Sequence, residues 1–185
     1  MKIYIVGISC VGKTTIGSLL ADNLNYTFYD LDEEVERFYQ KPIEHIQNEC
    51  SSIIEFRQKA SIVLDNLFTT DENSVIAGTT AGLKDSYFKI YQKHKKRKDL
   101  ISIHIIDDPE NVLNRLTFYD ADSKMYEKAL DDKMRKMYLK EIVADWKYFQ
   151  KSLNLADLQV SIKNVPLDQI PDLLIKYLES NNYLI

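Results

Sequence analysis

The sequence predicts an α/β fold of three layers, a five-stranded parallel sheet with helices on both faces. Three observations carry that expectation. Strand-length apolar runs alternate with helically spaced apolar residues along all 185 positions, the pattern of a mostly parallel sheet. Several of the runs are almost continuously apolar, as strands covered on both faces have to be. The first run leads directly into a glycine-bounded loop and then an amphipathic helix, the strand, loop and helix unit of that architecture.

Taken in order, Lys2 to Val6 reads as the first strand, and Ile16, Leu19, Leu20 and Leu24 form the apolar face of the helix after it. Thr27 to Asp30 follows as a short strand. Ile53, Phe56, Ala60, Val63, Leu64 and Leu67 mark a second helix, opened by a capping box of Ser52 and Glu55. Val75 to Ala77 and Leu100 to Ile106 are the next strands. Asp108-Pro109-Glu110 reads as cap, first helical residue and dipole-matching acid ahead of Val112, Leu113 and Leu116. Phe118 to Lys128 is polar and without a clear period, which marks it as a mobile segment. A long helix from Asp131 to Ser152 carries Met134, Met137, Tyr138, Ile142, Trp146 and Phe149. Leu158 to Ile162 is the fifth strand, and Ile170, Leu173, Leu174, Tyr177 and Leu178 face a last helix.

The length suits one domain, here 1–185, with a single core. A net charge of −4 gives no general attraction to nucleic acid or to anionic membrane, so any phosphate affinity has to be local. The basic cluster Lys93, Lys95, Lys96, Arg97 and Lys98 reads as a solvated helix end. Cys10 and Cys50 lack zinc-site spacing and offer no disulfide framework. The N-terminal apolar run is too short for a secretory signal and no stretch approaches a membrane span, so the expected setting is cytoplasmic. Only five glycines occur: Gly7, Gly12, Gly17, Gly78 and Gly82.

Gly7-Ile8-Ser9-Cys10-Val11-Gly12-Lys13-Thr14-Thr15 fits G-x-x-x-x-G-K-[ST] without a mismatch. A loop that wraps its amides around phosphate oxygens needs Gly7 and Gly12 where a Cβ would obstruct. The following helix turns its positive end to the same anion. Gly7, Ser9, Cys10, Val11, Gly12, Lys13, Thr14 and Thr15 are thus the expected nucleotide loop, with Lys13 reaching the β and γ phosphates and the Thr14 hydroxyl ligating Mg²⁺. The fold expectation becomes a three-layer P-loop fold. No guanine-reading Asn-Lys-x-Asp segment accompanies it. Phe28-Tyr29-Asp30-Leu31-Asp32 ends the second strand with two carboxylates two residues apart, one suited to a metal and one to a substrate hydroxyl. The alternative for this pair is an exposed helix start. Asp107, after the apolar Ile103-His104-Ile105-Ile106, is a competing metal acid; the simpler reading is again a helix start. His104 reads as a satisfied core histidine.

With these motifs the chain resembles the shikimate kinase family. The similar segments are GISCVGKTTIG, FYDLDEEVE, IEFRQKAS, VIAGTTAG and ADLQVSI, in the family's order and covering roughly residues 2–178. The resemblance implies an ATP-dependent phosphotransferase acting on an alcohol group, with ATP and Mg²⁺ as cofactors and shikimate or a related hydroxylated acid as acceptor. It implies Lys13 and Asp32 as catalytic, Thr14 and Asp30 at the metal, and Arg115 against adenine. Asp32, Arg57, Thr79 and Thr80 fall at the acceptor, with Arg57 gripping its carboxylate. The region about 32–68 would be the substrate-binding helices, and about 118–128 the lid. A small-molecule substrate is the expected partner, with no nucleic acid or membrane, in a monomer or weak homodimer.

The sequence also departs from the family. Thr79-Thr80-Ala81 stands where the family has three glycines, and the lid contains no arginine, Lys124 being its candidate charge. The second carboxylate-binding arginine is absent, with Lys147 the nearest residue. A second reading stays open on these grounds, a nucleotide-binding module with weak or no transfer activity.

Overall fold

A computed structural model describes residues 1–96 and 99–184. The chain runs β1 (Lys2–Val6), α1 (Lys13–Leu24), β2 (Thr27–Asp30), α2 (Leu31–Tyr39), α3 (Ile43–Asn48), α4 (Ile53–Thr69), β3 (Ser74–Ala77) and α5 (Asp85–Lys95). It continues through β4 (Leu100–Ile106), α6 (Pro109–Leu113), β5 (Phe118–Tyr119), β6 (Met125–Tyr126), α7 (Asp132–Leu153), β7 (Leu158–Ser161) and α8 (Ile170–Ser180). Five strands form a parallel sheet in the order β2-β3-β1-β4-β7. The order reverses at β1, so the loop after β1 opens at a switch point, where α/β sheets bind ligands.

Every residue of β1 is buried, and alternate side chains serve opposite faces of the sheet. Ile5 reaches toward α1, where Gly17 leaves no room for a Cβ against Phe28 of β2. Tyr4 points the other way, edge-on to Phe68 of α4 and stacked on Tyr91 of α5. Helices therefore cover both faces, as expected. Gly78 and Gly82 fit over the same tyrosine: a Cβ at Gly78 would lie 2.6 Å from the Tyr4 ring, and one at Gly82 2.8 Å from its hydroxyl. That hydroxyl donates to the Gly82 carbonyl at 3.1 Å.

Several local expectations take a different form. Ser52 caps α4 by accepting from the Glu55 amide at 3.2 Å, but Glu55 reaches back to the amide and hydroxyl of Ser51, one residue earlier than a capping box requires. Lys93 and Lys95 end α5 in ion pairs with Asp65 and Asp157 rather than simply solvated; Arg97 and Lys98 of that cluster lie outside the described residues. Asp157 also accepts from the Ser102 amide at 2.9 Å and from the Tyr91 hydroxyl, which pins the entry of β7 to β4 and α5. His104 is buried, but its Nδ1 has no hydrogen-bond partner, and burial pushes its pKa down to about 4. It is a neutral core histidine, without the satisfied pairing expected of it.

The segment 118–128 is structured. Phe118 pairs with Tyr126 and Tyr119 with Met125 in an antiparallel hairpin. Asp120 holds its turn, accepting from the amides of Asp122 and Lys124 at 3.0 and 2.9 Å, with Ser123 in the left-handed region. The tip docks across the cleft: the Ser123 hydroxyl donates to Glu36 of α2, and Asp122 lies 3.5 Å from His45 of α3. The expected lid is thus a β-ribbon seated on the helices that follow β2. Among the described residues no helix is long and apolar enough to cross a membrane.

Candidate active site

The loop from β1 to α1 has little freedom. Gly12 caps α1 at φ 103, a conformation that a side chain rarely adopts. At Gly7 a Cβ would come within 2.9 Å of the Ile105 carbonyl oxygen, so the loop crosses the end of β4 with no space for one. Lys13 folds back over this loop, its Nζ donating to the carbonyls of Gly7 and Ile8 at 3.1 and 2.9 Å. Removal from bulk water lowers the Lys13 pKa, while Asp32, Cys10 and Asp30 act in the opposite direction.

Asp30 ends β2 and caps α2 at once. Its Oδ1 accepts from the Asp32 amide at 3.0 Å, and its Oδ2 accepts from the Thr14 hydroxyl at 2.6 Å. Thr14 and Asp30, sixteen residues apart, therefore present adjacent oxygens. Asp32 stands in the first turn of α2 and is open to the cleft. Its carboxyl is pushed up to about 6, first by the surrounding protein that keeps bulk water away and then by Asp30, with Lys13 opposing.

These residues line a cleft of about 1030 Å³. Ser9, Cys10, Gly12, Lys13, Thr14 and Thr15 form one wall with Asp30 and Asp32, and Gly78 lies at its base. Glu33 and Glu36 of α2 and Ile43, Glu44, Gln47 and Asn48 of α3 form the other. Tyr119, Asp120 and Ser123 reach in from the hairpin, and Arg115 and Thr117 from its approach. Arg115 is held by an ion pair with Asp107, whose buried carboxylate also accepts from Asn111 at 2.9 Å and the Asp108 amide at 2.7 Å. Asp107 is spent on this anchor, which leaves the competing assignment of it to a metal without support.

Not every expected residue reaches the cleft. Gly7 and Val11 lie buried beneath the loop. Arg57 is also outside the cleft lining, its guanidinium paired with Asp85 at 2.6 Å. Thr79 and Thr80 do not line the cleft; Thr79 turns its hydroxyl inward beside that of Tyr87. The hairpin contributes no cation, for Lys124 is exposed outside the lining, and Lys147 is exposed on α7. Among residues missed by sequence reasoning, Glu36, Glu44, Gln47 and Asn48 share a signal in hindsight. They recur at helical spacing on one side of two short helices after the Asp-x-Asp pair. Asp85 carried no signal at all.

A glycine loop at a switch point, a lysine folded over it, a threonine beside a strand-end carboxylate and a second carboxylate two residues on make up a site of the P-loop type. A model of the shikimate kinase family matches residues 9–156. The chain belongs to the shikimate kinase family. It is 30% identical over 151 residues to a shikimate kinase of Pseudoalteromonas atlantica, covering 70% of this chain and 84% of that one. It is 39% identical over 83 residues to the enzyme of Aquifex aeolicus, 45% of this chain. The chain spans about half the length of the first curated relatives it matches, 48% of the Aquifex protein and 44% of that from Alkaliphilus oremlandii. The crystal structure of shikimate kinase from Aquifex aeolicus superposes with a TM-score of 0.73 at 26% identity, covering 98% of each chain. That of shikimate kinase from Acinetobacter baumannii in complex with shikimate, 21% identical, also gives 0.73 over 99% of this chain and 95% of that one, and shares the fold.

Proposed function

We propose that this chain transfers the γ-phosphoryl group of ATP to a hydroxyl of a small hydroxylated metabolite, with shikimate the leading acceptor. The observation that carries the reading is the contact of Thr14 with Asp30 at the cleft edge, two residues from Asp32. The adjacent hydroxyl and carboxylate oxygens suit a hard divalent cation, and Mg²⁺ is ordinarily held by one or two such ligands together with nucleotide phosphates. Thr14 and Asp30 would hold it, and when bound it neutralises charge on the β and γ phosphates.

The protein's own part is positioning and charge. Lys13 leaves the loop carbonyls to meet the phosphates, and the loop amides of residues 9 to 15 surround the β-phosphate. Arg115, fixed by Asp107, lies along the nucleotide. Asp32 accepts the proton of the acceptor hydroxyl as it attacks in line; a carboxyl near 6 is better matched to that task at neutral pH than an ordinary aspartate. The hairpin docked on Glu36 keeps water from the reacting phosphoryl group.

A second reading, nucleotide binding with weak or no transfer, is favoured by one observation: the hairpin presents Tyr119, Asp120 and Ser123 to the cleft and no cation. ADP release from Mg-ATP, measured across shikimate, quinate and other hydroxylated acids with Lys13→Ala as control, separates the two. Acceptor-dependent release that disappears in the variant supports the kinase; tight ATP binding with no stimulated release supports the binding module.

A further inference from the structure

From Arg115 into the hairpin, successive residues part to opposite sides. Arg115, Thr117 and Tyr119 line the cleft. Leu116 instead lines a second, smaller cavity with Tyr138 and Ile142 of α7, and the Phe118 ring lies 5.6 Å from that of Tyr138. The alternation is that of an extended strand. The side turned to α7 is used for anchorage. Phe118 also meets the Tyr126 ring across the ribbon at 6.0 Å, and Lys128 donates to the Tyr138 hydroxyl at 2.8 Å with its Nζ 5.1 Å from the centre of the Phe118 ring.

Tyr119 faces the other way, opposite Met125 in the register. It is 60% exposed, and among the described residues its hydroxyl has no hydrogen-bond partner and its ring no aromatic neighbour. A lone exposed aromatic on an outer surface needs no explanation. Tyr119, however, is the one aromatic ring in the cleft lining among the described residues. The hairpin also carries it toward the acceptor wall: Asp120, the next residue, and Ser123 share the lining, and the Ser123 hydroxyl is bonded to Glu36 of α2.

A hydroxylated carbon ring has two kinds of surface, an edge of hydroxyls and faces of C–H groups. Asp32, Glu36, Gln47 and Asn48 offer hydrogen-bonding partners to the edge. The electron-rich face of an aromatic ring suits the C–H groups, and an open chain presents no such face. We infer that Tyr119 is a specificity-determining residue: its ring stacks on the carbon face of a cyclic hydroxylated acceptor and so favours ring-shaped acceptors over open-chain ones. The inference rests on the reading of this cleft as a kinase acceptor site. A stacked contact of this kind is worth about threefold to tenfold in affinity.

The test is calorimetric titration of shikimate, a ring, and gluconate, an open chain, into protein saturated with Mg-ADP, comparing the wild type with Tyr119→Ala, Tyr119→Phe and Met125→Ala. Tyr119→Ala is expected to bind shikimate about threefold to tenfold more weakly, and gluconate and ADP as the wild type does. Tyr119→Phe keeps the ring and the affinity, and Met125→Ala, altered across the ribbon but outside the lining, binds as the wild type. Equal shikimate affinity in the wild type and Tyr119→Ala overturns the inference, as does a loss in Tyr119→Phe as large as that in Tyr119→Ala. So does an equal loss for gluconate, which makes the effect one of hairpin position, or a loss confined to ADP, which puts the ring on the nucleobase. ADP release from Mg-ATP on the same proteins keeps the two readings apart: weaker shikimate binding by Tyr119→Ala without acceptor-dependent release by the wild type sinks the kinase reading and upholds the role of Tyr119. Release by the wild type with equal shikimate affinity does the reverse.

Discussion

On the proposed nucleotide side of the cleft, Ser9, Cys10, Gly12, Lys13, Thr14 and Thr15 come from one short run of the chain. On the proposed acceptor side the lining is assembled from α2, α3 and the hairpin, and Arg57, outside it, is paired with a residue 28 positions away. The first half can be preserved by keeping a single short segment. The second depends on contacts between elements, each of which can vary separately, and here they present carboxylates and amides. Phosphate chemistry is common to all reactions of this class, whereas acceptors differ, so the locally encoded half is the one that recurs.

The sharpest way to break that contrast is at Lys13. Lys13→Ala should lower acceptor-dependent ADP release by on the order of a thousandfold, the scale of losing a positioned charge at a phosphoryl-transfer site, with the fold retained by circular dichroism. Asp32→Asn comes next, with a loss of about a hundredfold or more. It is also expected to raise thermal stability at pH 7.5. A carboxyl whose folded pKa is raised from 3.8 to about 6 binds its proton more tightly in the native state, so ionising it destabilises the fold. That gain from Asp32→Asn is full above about pH 6 and fades as the pH falls toward 4, which melts at several pH values will show. In the wild type, kcat/KM should decline below about pH 6 with a slope of one.

Smaller effects sharpen the acceptor side. Gly78→Ala puts a Cβ into the buried Tyr4 ring and should cost about 1–3 kcal/mol in denaturant unfolding, the range for overpacking a core. Ser123→Ala removes the hydroxyl that ties the hairpin to Glu36. A hydrogen bond worth about 1 kcal/mol predicts hairpin amides that exchange about fivefold faster.

The sequence made the local features readable and left the non-local ones hidden. All five sheet strands and the glycine and lysine spacing of the loop follow from short-range patterns, whereas Asp30 is set beside Thr14 only by the family resemblance, the residues themselves leaving open which of Asp30 and Asp32 faces a metal. The hairpin escaped because two-residue strands are too short to show a period, and its turn is made by Asp120 and Ser123 rather than by glycine. Arg57 was readable as a cation, but its partner was not. Asp85 looks like an ordinary helix-starting acid until its backbone conformation is known. Glu55 illustrates a near miss, since the capping residue types were right and the amide that Glu55 finds is one position removed.

The Tyr4 ring beneath Gly78 and Gly82 has a consequence for how this chain can vary. A glycine beside a binding cleft invites the explanation that a ligand passes close to the backbone, yet at Gly78 the space is filled from below by the Tyr4 ring, and at Gly82 by its hydroxyl together with Val6 of the same central strand. Residues 4 and 78 therefore form one unit of inheritance: a larger residue over the ring becomes acceptable only after the ring itself has been replaced by something smaller, while position 82 answers to Val6 as well. Lineages that keep a tyrosine at position 4 would keep both glycines whatever molecule they bind.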